Sequence, residues 1–256
     1  MKILALGDVV GSRAVDYIAD KLFLVKRELG VDFVVANGEN ATDIHGVSTK
    51  DAQTLFDSGI DVITLGNHTF GRRDICEMLS GDAKIIRPAN YPPLAPGAGH
   101  LITEVCGVRI LCINVLGTAL MEPMACPFAT VERILDAEKE KFDISILDVH
   151  AEATSEKLAI ARYFDGRINM IFGTHTHVQT ADEQILPRGT GYITDLGMCG
   201  PTGGIIGAEA SAVIEKMRTK MPARFTVADG EIKANGVIFD VDTDRMRVKA
   251  LRRVRF

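Results

Sequence analysis

Five short, β-branched apolar runs, each ending in residues of the kind that bind metals or phosphate, constrain this 256-residue chain more than any other feature. Ile3 to Leu6 ends at Gly7-Asp8, Phe33 to Ala36 at Asn37-Gly38-Glu39-Asn40, and Val62 to Leu65 at Gly66-Asn67-His68. Ile144 to Leu147 ends at Asp148-Val149-His150, and Ile168 to Phe172 at Gly173-Thr174-His175-Thr176-His177. Runs this short and this rich in Val and Ile read as buried strands. Amphipathic segments at about 13–29, 49–58, 72–80, 128–141 and 154–164 read as the helices between them, with Ser48 or Thr49 and Thr154 or Ser155 as N-caps. Alternation of strand and helix makes the fold class α/β.

Two antiparallel pieces interrupt that alternation and make the sheets mixed. Segments 101–106 and 109–115, joined around Gly107, form one expected hairpin, and 231–240 and 246–255, joined by Asp242-Thr243-Asp244, the other. Pro88 to Gly99 carries four prolines and reads as a surface crossover. Gly197 to Gly207 carries five glycines and reads as a loop that bends over the site. With 46% hydrophobic residues the chain can bury a substantial core, so a single domain spanning 1–256 is expected.

Charge and cysteine usage exclude several classes. A formal charge of -5 gives no general attraction to polyanions, so duplex nucleic acid is disfavoured and any phosphate must be attracted locally. Cys76, Cys106, Cys112, Cys126 and Cys199 are odd in number and contain no C-x-x-C pair, which fits free thiols in a reducing compartment. The first apolar run reaches Asp8 too early for a signal-peptide core, and no run approaches the roughly 20 residues that span a bilayer. A cytoplasmic protein is expected. The segment Gly7-Asp8-Val9-Val10-Gly11 lacks dinucleotide-fold spacing, and Asp8 would meet the phosphate with a carboxylate.

In an open α/β sheet, ligands bind at the carboxyl ends of the strands. Asp8, Glu39, Asn67, His150, His175 and His177 should therefore converge. Singly, each has an ordinary structural explanation; together they form the oxygen and nitrogen donor set that two hydrated divalent cations require. His175 and His177 can both reach the site if the chain leaves extended geometry at the strand end, a bend that Gly173 makes easy. His68, beside Asn67, is the candidate to protonate a leaving oxygen or stabilise phosphoryl charge, because imidazole titrates near neutral pH. His45, His100, Arg72 and Arg73 are left outside the site.

The order Gly7-Asp8, then Gly38-Glu39-Asn40, then Gly66-Asn67-His68, then His150, then Gly173 to Val178 resembles the calcineurin-like metallophosphoesterase family. Gly7 to Gly11, Asn37 to Asn40 and Gly197-Met198-Cys199-Gly200-Pro201 resemble its YmdB-like branch, and the resemblance covers nearly the whole chain. It implies a four-layer αββα sandwich and a phosphodiesterase of small phosphodiesters, 2′,3′-cyclic nucleotides above all, working by in-line attack of a bridging hydroxide. It also implies that Asp8, Glu39 and His177 hold a first metal, with Asn40 substituting for the family histidine that Val10 replaces. Glu39, which stands where the family has Asp, would bridge to a second metal held with Asn67, His150 and His175. Manganese or iron is expected, with zinc or magnesium compatible. Expected partners are a cyclic nucleotide or other small phosphodiester, RNA ends, and a second copy of the chain through exposed strand edges. A regulatory nucleotide-binding protein that retains the metals, or a phosphomonoesterase or RNA-end hydrolase, are the alternatives.

Overall fold

The computed structural model describes residues 1–256. Its first half runs β1 (Lys2–Leu6), β2 (Asp8–Val9), α1 (Ser12–Leu29), β3 (Phe33–Asn37), α2 (Thr49–Asp57), β4 (Val62–Thr64), α3 (Ile75–Ser80), β5 (Ile85–Ile86), β6 (His100–Val105) and β7 (Val108–Leu116). It continues with α4 (Pro127–Ala137), β8 (Ile144–His150), α5 (Thr154–Tyr163), β9 (Met170–Thr174), β10 (Gln184–Ile185), β11 (Gly191–Ile193), β12 (Met198–Pro201), α6 (Ala210–Thr219), β13 (Ile232–Asp242) and β14 (Arg247–Arg255).

One sheet has the order β2-β12-β13-β1-β3-β4-β5, with β14 on β13, and the other has β10-β11-β9-β8-β7-β6. The strands β1, β3, β4 and β5 are parallel, as are β11, β9, β8 and β7, while β13, β14, β6 and β10 add antiparallel pairs. Period-two alternation along the strands separates the two faces of each sheet. Leu4, Leu6, Val34 and Ile63 face outward against Ile18 and Leu22 of α1, Leu55 of α2 and Leu79 of α3. Ile3, Ala5, Phe33, Val35 and Val62 face inward against Ile144, Ile146, Met170 and Phe172 of the second sheet. Leu147, Val149 and Ile171 then pack on Val131 and Ile134 of α4 and Ile160 of α5. The result is the α/β, four-layer αββα arrangement with mixed sheets.

The inward-facing positions turn polar at the carboxyl ends of the strands. Two residues beyond Val35, Val62, Ile146 and Phe172 come Asn37, Thr64, Asp148 and Thr174, and His150 follows Asp148 at the same spacing. Register sets Asn37 beside Thr64 and His150 beside Thr174. A buried polar cap thereby sits on the apolar layer between the sheets, and the site is built above it.

Several local expectations change. Met198–Pro201 lies in the glycine-rich stretch read as a loop, yet forms β12 because its backbone pairs with both β2 and β13; tertiary pairing overrides its Gly and Pro content. The helix expected over 72–80 begins only at Ile75, since Asp74 is occupied in accepting hydrogen bonds from the Thr49 amide and hydroxyl, at 3.0 and 2.9 Å. The helix expected to reach 141 stops at Ala137, and the chain turns away through Glu140 with φ 69°. Helix α6 lies outside the segments expected to be helical, although Ala210, Val213, Ile214 and Met217 recur at i, i+3, i+4 and i+7; of these only Val213 is buried. All five cysteines are free, with Cys112 buried opposite Leu101 and Cys106 exposed in the hairpin turn. No helix is long and apolar enough to cross a membrane.

Beneath the end of β9, the Lys157 ammonium of α5 lies 2.7 Å from Asp195 Oδ2, with both side chains out of solvent. Removing one partner of such a pair strands the other charge in a low-dielectric interior. Lys157→Met is expected to lower the unfolding free energy, measured by urea denaturation, by about 3–5 kcal/mol. A loss below about 1 kcal/mol, the scale of an exposed pair, would show that the pair does not hold this part of the fold.

Candidate metal centre

Each of three histidines commits one ring nitrogen to a partner that fixes its tautomer, and turns the other toward the carboxylates and amides at the strand ends. His150 Nδ1 is 2.8 Å from Thr174 Oγ1, whose own hydrogen goes to Asp148 Oδ1 at 2.7 Å, so Nδ1 is the donor. Asp148 is itself held by Thr64 Oγ1 at 2.5 Å and Asn37 Nδ2 at 3.3 Å. His175 Nε2 faces the Glu152 carboxylate at 3.1 Å, and His177 Nδ1 faces the Ile206 carbonyl at 2.8 Å; both partners accept only. This leaves His150 Nε2, His175 Nδ1 and His177 Nε2 as the ring nitrogens free to take a cation. Outer partners that fix ring orientation in this way are the usual support of metal-binding imidazoles.

The donor atoms form two groups that share Glu39. His150 Nε2 lies 2.9 Å from Glu39 Oε1, 3.1 Å from Asn67 Oδ1 and 3.1 Å from His175 Nδ1. Ligand atoms about 2.1 Å from one cation stand roughly 3.0–3.5 Å from one another, so this spacing suits a shared ion. A single proton on His150 can serve only one of those three electron-pair donors, whereas a cation serves all of them. Glu39, His150 and His175 form a cluster able to hold a metal ion. On the other side of Glu39, Asn40 Nδ2 is 3.3 Å from Glu39 Oε1 and 3.4 Å from His177 Nε2, which is 3.7 Å from Asp8 Oδ1. Asn40 Oδ1 is buried with no hydrogen-bond partner, the sign of an acceptor whose natural counterpart is a cation. Val10 is buried and bridges the Asn40 backbone, so the amide stands beside the position where the family has its histidine.

Local backbone explains how these groups meet. A Cβ on Gly66 would fall on the Glu39 carboxylate and the His150 ring, so only glycine admits them together. Gly173 is expected from the sequence to provide the bend before the two histidines, but it remains extended within β9. Its glycine is required because a Cβ would strike the Thr194 carbonyl and Lys157. The turn comes instead at His175 and His177, whose φ values are 96° and 65°. Such non-glycine conformations persist where surroundings impose them. Here Asp8 Oδ2 accepts from the His175 amide at 3.1 Å, and Asp195 Oδ2 accepts from the Thr176 hydroxyl at 2.7 Å.

The electrostatics match a centre suited to positive charge. Burial disfavours a charged His150, but Glu39, Asp8 and Asp148 overcome it and raise its pKa to about 9. Burial pushes Glu39 up, yet His150 and His68 bring it down to about 2. Asp8 rises to about 6, chiefly through burial, against the pull of His177 and His150. Burial and the neighbouring His150 lower His175 to about 3. His68 is also lowered, first by burial, and its Nε2 accepts from Asn67 Nδ2 at 3.2 Å.

All of the residues Asp8, Glu39, Asn40, Asn67, His68, His150, His175 and His177 are thus brought together. Asp148, Thr174, Glu152 and Asp195 join them without having been singled out in the sequence; of these, only Asp148, an acid two residues before His150 in an apolar strand, leaves a trace in the pattern. His45, placed outside the site from sequence, has its ring 4.2 Å from that of His68 and lines the same cavity. His100 and Arg72 lie elsewhere, paired with Glu138 at 3.5 Å and with Asp74 at 3.7 Å. The cavity, 560 Å³, opens beside Glu39, Asn40, His68, His175 and His177 and falls within the roughly 300–1,000 Å³ of small-molecule sites.

A model of the YmdB-like protein family matches residues 4–254. A 2′,3′-cyclic-nucleotide 2′-phosphodiesterase of Bacillus subtilis (strain 168) is 39% identical over 254 residues, covering 99% of this chain and 96% of its own length. Crystal structures of a hypothetical protein from Thermus thermophilus and of a novel phosphatase from Mycoplasma pneumoniae both align at a TM-score of 0.94 and 36% identity. They cover 100% of this chain, and the alignment takes in 99% and 93% of theirs. With the motif order, the paired sheets and the histidine cluster all in place, this chain belongs to the YmdB-like family and is a hydrolase of the metallophosphoesterase type.

Proposed function

We propose that the protein hydrolyses small phosphodiesters, 2′,3′-cyclic nucleotides in particular, using two divalent cations, manganese or iron foremost. The observation that carries this reading is the meeting of His150 Nε2 with Glu39 Oε1, Asn67 Oδ1 and His175 Nδ1 at the spacing of one cation's ligands, with Asn40, His177 and Asp8 gathered on the other side of Glu39. Asp8, Glu39, Asn40 and His177 would hold one cation, and Glu39, Asn67, His150 and His175 the other. Such cations, when bound, supply Lewis-acid charge to phosphoryl oxygens and lower the pKa of water. The activity that its name gives the Bacillus subtilis relative supports the choice of substrate.

The chain's own groups then divide the remaining work. Glu39, shut from solvent and pinned through Oε2 by the His68 amide at 2.8 Å, fixes the centre of the site. Asn67 presents its oxygen to that centre and its amide hydrogen to His68. His68 is kept neutral by burial, so it serves as a hydrogen-bond donor to phosphoryl charge better than as an acid protonated in advance.

The direct test is an assay of metal-loaded protein on 2′,3′-cyclic nucleotides, linear diesters and phosphomonoesters. Cyclic diesters should be turned over fastest, and no turnover of any ester would end the hydrolytic reading. Glu39→Gln is expected to reduce kcat at least about 100-fold and to lower the bound metal per chain. Full activity with unchanged metal content would remove Glu39 from the centre. For His68→Ala, kcat/KM should fall about 100-fold, on the scale of a lost oxyanion donor. The alkaline limb of the pH profile should stay in place, and its disappearance would restore the acid role.

Metal binding should also depend on pH in a definite direction. The metal-free site holds a proton on His150, whose pKa is raised to about 9. A cation needs the neutral ring, so binding at pH 7 to 8 releases that proton and affinity rises with pH, about tenfold per unit, until His150 is neutral in the free protein. Calorimetry in buffers of different ionisation enthalpy measures the release; affinity independent of pH over this range would contradict it.

A further inference from the structure

The cavity beside the metal centre is larger than a phosphate needs, and its far wall is built of different chemistry. That wall comes from α6 and the chain on either side of it. Val213, Lys216 and Met217 fall at i, i+3 and i+4 and share one face of the helix, Lys220 is its left-handed C-cap, and all four line the cavity. Ile206 and Phe225 join them. The Lys216 ammonium lies over the Phe225 ring, 4.8 Å from its centroid. Met217 and Ile206 are 65% and 51% exposed, an unusual display of apolar surface beside a helix that buries only Val213. The helix dipole accounts for basic residues in the last turn. It does not account for two lysines set on either side of exposed methionine on the face turned to the site.

An aromatic, flat apolar body that ends in a second anion fits both features. Phe225, Met217 and Ile206 offer a stacking surface for a heterocycle. Two ammonium groups on flexible stems offer point charges to a phosphate, in a chain whose net charge of -5 provides no general attraction for one. We propose that this wall is a nucleoside 5′-phosphate subsite, in which the base packs on Phe225, Met217 and Ile206 while Lys216 and Lys220 hold the phosphate on the 5′ carbon. Resting on the phosphodiesterase reading, this makes the preferred substrate a 2′,3′-cyclic phosphate on a nucleoside that also carries phosphate at its 5′ position. That phosphate can belong to a single nucleotide or to the next link of an RNA 3′ end.

Two readouts test it. The first compares kcat/KM of the metal-loaded protein for adenosine 2′,3′-cyclic phosphate with a free 5′-hydroxyl, the same compound with a 5′-phosphate, and a diadenylate ending in the cyclic phosphate. At least one phosphate-bearing substrate should be favoured about tenfold or more, as expected of a charge-assisted contact. Which of the two is better identifies the source. The preference should vanish in Lys216→Gln/Lys220→Gln and persist in Lys216→Arg/Lys220→Arg. Arg218→Gln, on the same helix but outside the cavity lining, should keep it. The second readout is calorimetric binding of adenosine 3′-phosphate and adenosine 3′,5′-bisphosphate, where the bisphosphate should bind about tenfold more tightly and lose that advantage in the double Gln variant. Equal treatment of the compounds by the unaltered protein, or a preference that survives the double Gln variant, would overturn the subsite. Absence of all turnover with the binding difference intact would end the hydrolytic reading and leave the subsite standing.

Discussion

The contact between Glu39 Oε1 and His150 Nε2, 2.9 Å long and closed to solvent, is the point on which the rest of the structure turns. A carboxylate and an imidazole at that depth are costly unless charge is compensated. The cost explains the density of polar support around them. Thr174, Asp148, Asn37 and Thr64 lock one side of the imidazole, the His68 amide locks the far oxygen of Glu39, and glycine at 66 leaves space for both. The carboxylates around His150 raise its pKa to about 9, so the ring takes up positive charge readily, and in the proposed function cations would supply that charge instead.

The sandwich supplies the place for that contact. Two sheets bring their inward faces together through Phe33, Val35, Ile146 and Phe172, and the same alternation delivers Asn37, Asp148, His150 and Thr174 at the rim. Core packing and the site are therefore one construction: the register that fills the apolar layer also sets His150 beside Thr174. Precision at a metal centre depends on rigid elements and on a supporting shell. Here the first comes from strand ends and the second from buried hydroxyl and amide groups. The His175–His177 turn carries two histidines at positive φ, and Asp8 and Asp195 hold it in place.

Much of this was legible in the sequence because it obeys short-range rules. Strand ends with polar residues, helical spacing and hairpin turns pointed to the α/β class, and the convergence of the strand ends marked out Asp8, Glu39, Asn67, His150, His175 and His177, with His68 added as the neighbour of Asn67 and Asn40 through the family resemblance. What escaped depends on contacts distant in the chain. Strand β12 is imposed by its neighbours on a segment rich in glycine and proline. Helix α6 is an exception, since Ala210, Val213, Ile214 and Met217 stand at helical spacing although only Val213 is buried. Glu152 meets His175 only because the backbone turns at a positive φ that histidine seldom adopts, and Gly173 proved to be a matter of close packing with Lys157 and the Thr194 carbonyl. His45 reaches His68 across a loop whose course no local pattern discloses.

Whether Glu39 joins two cation sites in one cluster is tested most directly by electron paramagnetic resonance of the manganese-loaded protein. Two manganese ions per chain are expected, with the multiline spectrum of an exchange-coupled pair, replaced in Glu39→Gln by isolated or absent ions. A spectrum of isolated manganese in the unaltered protein at full loading would contradict the shared carboxylate.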